Sequence, residues 1–186
     1  MNFVLESKDP LTQQIRDKGI TSWKELTHYI SALPYGRNQN RSDFSLVISE
    51  EQGTCSSKHA FLKTVADLHR CTSVSLVLGI YKMNAQNTPQ VAPVLKQFGI
   101  SYLPEAHCYL SINGTRQDLT TPDTDSSKLE QDLIEEKTIQ PHQVIQYKVE
   151  YHQAFLKNWI KDTHTAFTFQ EVWNIREKCI EALARS

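Results

Sequence analysis

The chain has 186 residues, 39% of them apolar, with 20 basic and 21 acidic side chains and a formal net charge of −1. About 150 residues already bury roughly 70% of their extended surface, so one domain with a single core is the default expectation. The balanced charge lacks the basic footprint of a nucleic-acid binder and excludes DNA or RNA as the expected partner. No apolar run approaches the ~20 residues that span a bilayer, and Met1-Asn2-Phe3-Val4-Leu5-Glu6 has neither a basic nor an apolar leader region. The expectation is a soluble, cytoplasmic protein with no membrane segment.

Residues 8–18 and 22–32 read as two helices, the first begun by Asp9-Pro10 and stopped by Gly19, the second entered at Thr21-Ser22 and halted by Pro34. A polar loop, 34–43, then leads through Phe44-Ser45-Leu46-Val47-Ile48 to Gly53-Thr54-Cys55. A helix from Cys55 to about His69 follows, then a buried strand at 73–81 and a short helix at 89–98. The segment 104–120 reads as a β-hairpin. Beyond Thr121-Pro122-Asp123 the pattern is helical to the end, with breaks at Gln140-Pro141 and near 163–168. Tyr147, Tyr151, Phe155, Trp159 and Ile160 make one apolar stripe, and Phe169, Val172, Trp173, Ile175, Cys179 and Leu183 another; both read as core.

Cys55 stands where a nucleophilic thiol is most easily made. A helix N-terminus offers unpaired N–H groups and partial positive charge, which favour thiolate over thiol and can hold the oxyanion that thiolate attack creates. Asn113-Gly114 is the strongest two-residue signal for a type I′ turn. It pairs Ile112 with Thr115, Leu110 with Gln117, Tyr109 with Asp118 and His107 with Thr120. His107 and Asp118 then share a sheet face as diagonal neighbours, with Cα atoms roughly 7–8 Å apart.

Gly53, Cys55 and Ala60 as G-x-C-x-x-x-x-A, a His strand at His107, and D-x-T at Asp118 and Thr120 resemble the core of the transglutaminase-like superfamily, over about residues 45–120. The resemblance implies an α+β fold: a small antiparallel sheet with the Cys55 helix packed on it in the cysteine-proteinase-like arrangement, and helical regions before 44 and after 122. It implies Cys55 as nucleophile, His107 as general base and then acid, and Asp118 as the carboxylate that orients it. The reaction would be hydrolysis of an amide or peptide bond through an acyl-enzyme, on a peptide, protein or small amide, with acyl transfer to an amine as the alternative. No cofactor is called for.

Other candidates surround this set. A second oxyanion donor could come from Asn38, Gln39, Asn40 or Gln52, and Arg37 or Arg41 could hold a substrate carboxylate. Glu105 shares the His107 face and is a candidate to tune the site or contact substrate, against the simpler reading of a solvated carboxylate. His59, four residues after Cys55 on the same helix face, is a rival base or a packing neighbour. Cys71, Cys108 and Cys179 read as ordinary free thiols, since the four cysteines show no C-x-x-C spacing. Two readings of other classes compete: a metal site, disfavoured because Cys55-x3-His59, His69-x-Cys71 and His107-Cys108 lack paired ligand spacing, and a catalytically silent peptide-binding module on the same fold.

Overall fold

Four of the described helices begin where a side chain takes over N–H groups that the first turn leaves unpaired. Asp9 accepts the Thr12 N–H at 2.9 Å and opens α1 (Pro10–Asp17), whose leading proline has no N–H to lose. Ser22 and Glu25 form a capping box for α2 (Trp23–Ala32), which buries Trp23, Leu26 and Ile30. A short α3 (Leu46–Ser49) precedes α4 (Cys55–Leu68) and β1 (Val74–Asn84). After a 3-10 turn at Pro89–Val91 come α5 (Ala92–Gln97), β2 (Tyr102–Ile112), β3 (Thr115–Gln117) and β4 (Leu133–Ile139). A second 3-10 turn, Pro141–Val144, leads to α6 (Gln146–Asp162) and α7 (Phe169–Leu183), the latter capped by Thr168 with Glu171. This computed structural model describes residues 1–122 and 130–184, so the helical expectation for 123–129 lies outside the described residues.

The strands form one four-stranded antiparallel sheet in the order β3-β2-β1-β4, and the class is α+β. Leu76, Leu78 and Ile80 in β1, and Leu103, Cys108, Tyr109 and Leu110 in β2, are inaccessible to solvent. Burial of successive residues, rather than every second one, marks strands covered on both faces. The described residues divide into two compact units, the first holding 1–78, 108–122 and 137–145, the second 79–107, 130–136 and 146–184. In the first, α2, α3 and the 3-10 turn at 141–144 pack against α4; in the second, α5 and the 3-10 turn at 89–91 pack against α7, as does α6.

One element changes class from the sequence reading. Leu133–Ile139 was expected to be helical and instead pairs along β1 as an edge strand. Glu135, Glu136 and Lys137 give it the charge with which edge strands resist further pairing.

The hairpin turn forms as the Asn-Gly signal requires. Asn113 and Gly114 have φ of 52° and 79°, and the pairs Leu110↔Gln117 and Ile112↔Thr115 are in register. Gly114 is required at this left-handed φ because a Cβ there approaches the following carbonyl. Gly114→Val should therefore cost roughly 1–2 kcal/mol. Chemical denaturation reads this directly, and an unchanged midpoint would show that the turn contributes nothing to stability.

Candidate active site

Cys55 is the first helical residue of α4 and is buried, 7% exposed. Thr54 caps the helix: its hydroxyl accepts the Ser57 N–H at 3.3 Å, and the Ser57 hydroxyl accepts the Thr54 N–H at 2.9 Å. Gly53 is needed just before the cap for space, since a Cβ there would meet Lys58 Cγ at 2.9 Å and Ser57 Oγ at 3.0 Å. The buried face of α4 runs Cys55, Lys58, His59, Leu62, Val65 and Ala66. A lysine therefore occupies an apolar-stripe position one turn after the thiol.

Lys58 is fully buried, and its Nζ donates to the carbonyls of Leu33 at 2.6 Å and Thr120 at 2.7 Å. Burial pushes its ammonium down to about 8, while the charges of Asp118 and Cys55 pull it back up. The coupling is mutual: a cation one helical turn away favours the Cys55 thiolate. Because the folded pKa lies below the unfolded value near 10.4, the folded state holds fewer protons between those limits, and this group makes stability rise as pH increases from about 8 to about 10. Urea midpoints measured across that window should climb more in the wild type than in Lys58→Met. Parallel profiles would show that Lys58 is not depressed.

His59 is completely buried and both its ring nitrogens are engaged. Nδ1 is 2.7 Å from the Cys55 carbonyl, and Nε2 accepts the Leu119 N–H at 2.8 Å. An accepting Nε2 requires the neutral ring protonated on Nδ1, which donates to the Cys55 carbonyl. His59 is thus the packing neighbour of the two sequence readings: it ties the segment after β3 to the first turn of α4. His69, at the other end of α4, repeats the device, with Nδ1 2.8 Å from the Val65 carbonyl and Nε2 accepting the Ser7 N–H at 3.2 Å.

Asp118 does not continue the β3 ladder, which stops at Gln117. Its Oδ1 accepts the Thr120 N–H at 3.0 Å and the Thr120 hydroxyl at 2.6 Å, and lies 3.8 Å from His59 Nε2. The expected pairings Tyr109↔Asp118 and His107↔Thr120 are therefore outside the ladder. Asp118, Leu119 and Thr120 are instead gathered onto α4 through His59 and Lys58. Within the first unit, Lys58 is electrostatically coupled to Asp118 and Cys55, and the neutral His59 ring lies 3.8 Å from Asp118 Oδ1.

His107 belongs to the second unit, where its ring meets Tyr81 edge-on at a centroid distance of 5.8 Å. Glu105 is in the same unit and is not solvated: its side chain is 6% exposed. Arg176 grips it with two bonds, Nε at 2.9 Å and Nη2 at 2.6 Å, and His152 Nε2 lies 3.8 Å away. Burial pushes the Glu105 carboxyl up, but Arg176, His152 and Lys148 outweigh it and hold the group down at about 2. This buried charge cluster on α6 and α7 was missed by the sequence reading, which saw only an aromatic stripe there.

Among the oxyanion candidates, Asn38 is buried with its Nδ2 directed at Glu50 Oε2 (2.9 Å), the Gln52 carbonyl (3.0 Å) and the Leu46 carbonyl (3.4 Å). Its two N–H groups are thereby engaged, and its Oδ1 is buried without a hydrogen-bond partner. Gln52 donates to the Arg37 carbonyl, which pins the polar loop to the strand-like segment before Cys55, where Tyr35 bridges Gly53. Asn40 accepts the Ser42 N–H in a tight turn, and Arg37, Gln39 and Asn40 are exposed.

The remaining thiols differ from one another. Cys179 is buried, which pushes its thiol up to about 11. Cys71 is half-buried, 3.5 Å from Met1 Sδ. Cys108 is fully buried and its Sγ accepts the Ser56 hydroxyl at 3.8 Å. Among the described residues no three His, Cys, Asp or Glu side chains converge as metal ligands, and no helix is long and apolar enough to cross a membrane. Comparison with protein-family models, with curated proteins and with solved structures gives no match.

Proposed function

We propose that this chain is a cytoplasmic thiol-dependent hydrolase of amide or peptide bonds, with Cys55 as its nucleophile. The observation that carries the reading is the setting of Cys55: the first turn of α4, with the buried Lys58 ammonium one turn on and electrostatically coupled to the thiol. Thiolate attack on a carbonyl gives an acyl-enzyme and expels the amine; water then releases the acid. The transglutaminase-like resemblance supplies the cysteine-proteinase-like arrangement, His107 as base and acid, and Asp118 as the orienting carboxylate. The fixed charge of Asp118 beside Lys58 and His59 supports a role for it in the electrostatics of this group.

Limiting iodoacetamide near pH 6, followed by peptide mass spectrometry, tests the nucleophile without knowledge of the substrate. Each unit by which the Cys55 pKa is depressed should raise its labelling roughly tenfold over a free cysteine peptide. Cys179 should stay unlabelled. Lys58→Met and His107→Ala should each slow the labelling of Cys55. Labelling of Cys55 no faster than the free peptide would remove the nucleophile and leave a silent binding module. Profiling wild type and Cys55→Ala against amide and peptide libraries then identifies the substrate, and release of amine without acid would favour acyl transfer.

A further inference from the structure

The Ser56 hydroxyl donates to Cys108 Sγ at 3.8 Å and lies 3.9 Å from Cys55 Sγ, so one hydroxyl is in contact range of two thiols. We propose that Cys55 and Cys108 form a redox pair that hydrogen peroxide converts into a disulfide through a sulfenic acid on Cys55. The inference rests on Cys55 being the reactive thiol of the site above, and adds a second sulfur to it. Cys55 sits at a helix start with slight exposure, which suits attack on a small oxidant, whereas Cys108 is fully inaccessible, which suits a thiol reached only from within. Ser56 and Cys55 are the first two residues of the helix, where no preceding turn restricts side-chain rotation about χ1. That freedom is what closing the sulfurs to bonding distance requires.

The chemistry balances with the peroxide alone. The Cys55 thiolate attacks one peroxide oxygen; an S–O bond forms, the O–O bond breaks, and the departing hydroxide takes a proton to become water. Cys108 then attacks the sulfenic sulfur. The S–S bond forms, the S–O bond breaks, and the Cys108 proton, passed through Ser56, leaves with hydroxide as a second water. Sulfur is oxidised and the peroxide reduced, with a two-electron change overall. In a reducing cytoplasm such a bond is transient. It protects Cys55 from irreversible oxidation and turns the hydrolase off while it lasts.

The full chain treated with one equivalent of hydrogen peroxide, quenched with N-ethylmaleimide and digested without reductant, should yield the Cys55 peptide joined to the Cys108 peptide. Cys71 and Cys179 should be recovered outside any disulfide, and dithiothreitol should restore the thiols of Cys55 and Cys108. In Cys108→Ala, Cys55 should proceed to sulfinic and sulfonic acid; in Ser56→Ala, the first oxidation should keep its rate while the bond forms several-fold more slowly. Fast alkylation of Cys55 with no Cys55–Cys108 bond would overturn the redox pair and leave the nucleophile standing. A bond from Cys55 to Cys71 would overturn it too. Failure of Cys55 both to alkylate and to oxidise would remove the pair and the proposed function together.

Discussion

Replacing Arg176 with Met should lower the stability of the protein by about 3–5 kcal/mol, because it leaves the Glu105 carboxylate buried without its counter-charge. The side chains of the pair are only 14% and 6% exposed, which separates this ion pair from surface pairs worth ~0–1 kcal/mol. Glu105→Leu with Arg176→Met together should recover most of the loss, since no unpaired charge is then buried. The acid limb gives an independent readout. Glu105 is held at about 2, below the ordinary carboxylate value near 4.3, so its contribution is complete above about pH 4.3 and disappears as pH falls toward 2. In Arg176→Met that loss should move to higher pH, because burial then raises the carboxyl unopposed. Urea melts of the two single variants and the double variant check this, and a loss below about 1 kcal/mol for Arg176→Met would show that the charges are hydrated.

Asp118→Asn should cut amide turnover on the order of 10⁴-fold, the scale on which loss of an orienting carboxylate acts in a triad, with the fold intact. The substitution suits the site: Asn keeps an Oδ1 to accept the Thr120 N–H and hydroxyl, and it removes the charge that faces Lys58 and His59. Thermal unfolding of the variant should therefore stay close to wild type while kcat falls. Turnover within a factor of a few of wild type would make Asp118 a structural cap of the segment after β3. His107→Ala, measured beside it, separates the two roles, since a general base lost outright should cost turnover and slow the alkylation of Cys55 as well.

Local signals were legible wherever a few neighbouring residues decide the backbone. Asp9-Pro10, Thr21-Ser22 and Thr54 mark helix starts because a short polar side chain reaches the N–H groups two or three residues on. Asn113-Gly114 gave the hairpin and two of its pairs because only that turn type accommodates φ above zero at both positions. The placement of Cys55 in the first turn of a helix was readable for the same reason. Lys58 was readable in principle as well, as a charge at i+3 on the apolar stripe of α4, where a lysine needs buried partners.

What tertiary structure alone decided lies in interactions between distant residues. The length of β3 was set by competition: Asp118 takes the Thr120 N–H for itself, and Leu119 gives its N–H to His59, 60 residues earlier, so neither is available to the ladder. β4 became a strand because its hydrogen bonds come from β1, about 55 residues away, and the charged run Glu135-Glu136-Lys137 carries no local preference strong enough to reveal it. Glu105 reads alone as a solvated acid, and becomes a buried ion only when α7 delivers Arg176, 71 residues on, and α6 delivers His152. The sequence by itself determined where helices start, where the chain turns and which thiol stands at a helix N-terminus, since these depend on forces acting over one or two turns of backbone. Which charges are paired, which histidine is spent on structure and which serine touches two sulfurs were decided by packing, because such contacts exist only once remote segments share the same low-dielectric interior.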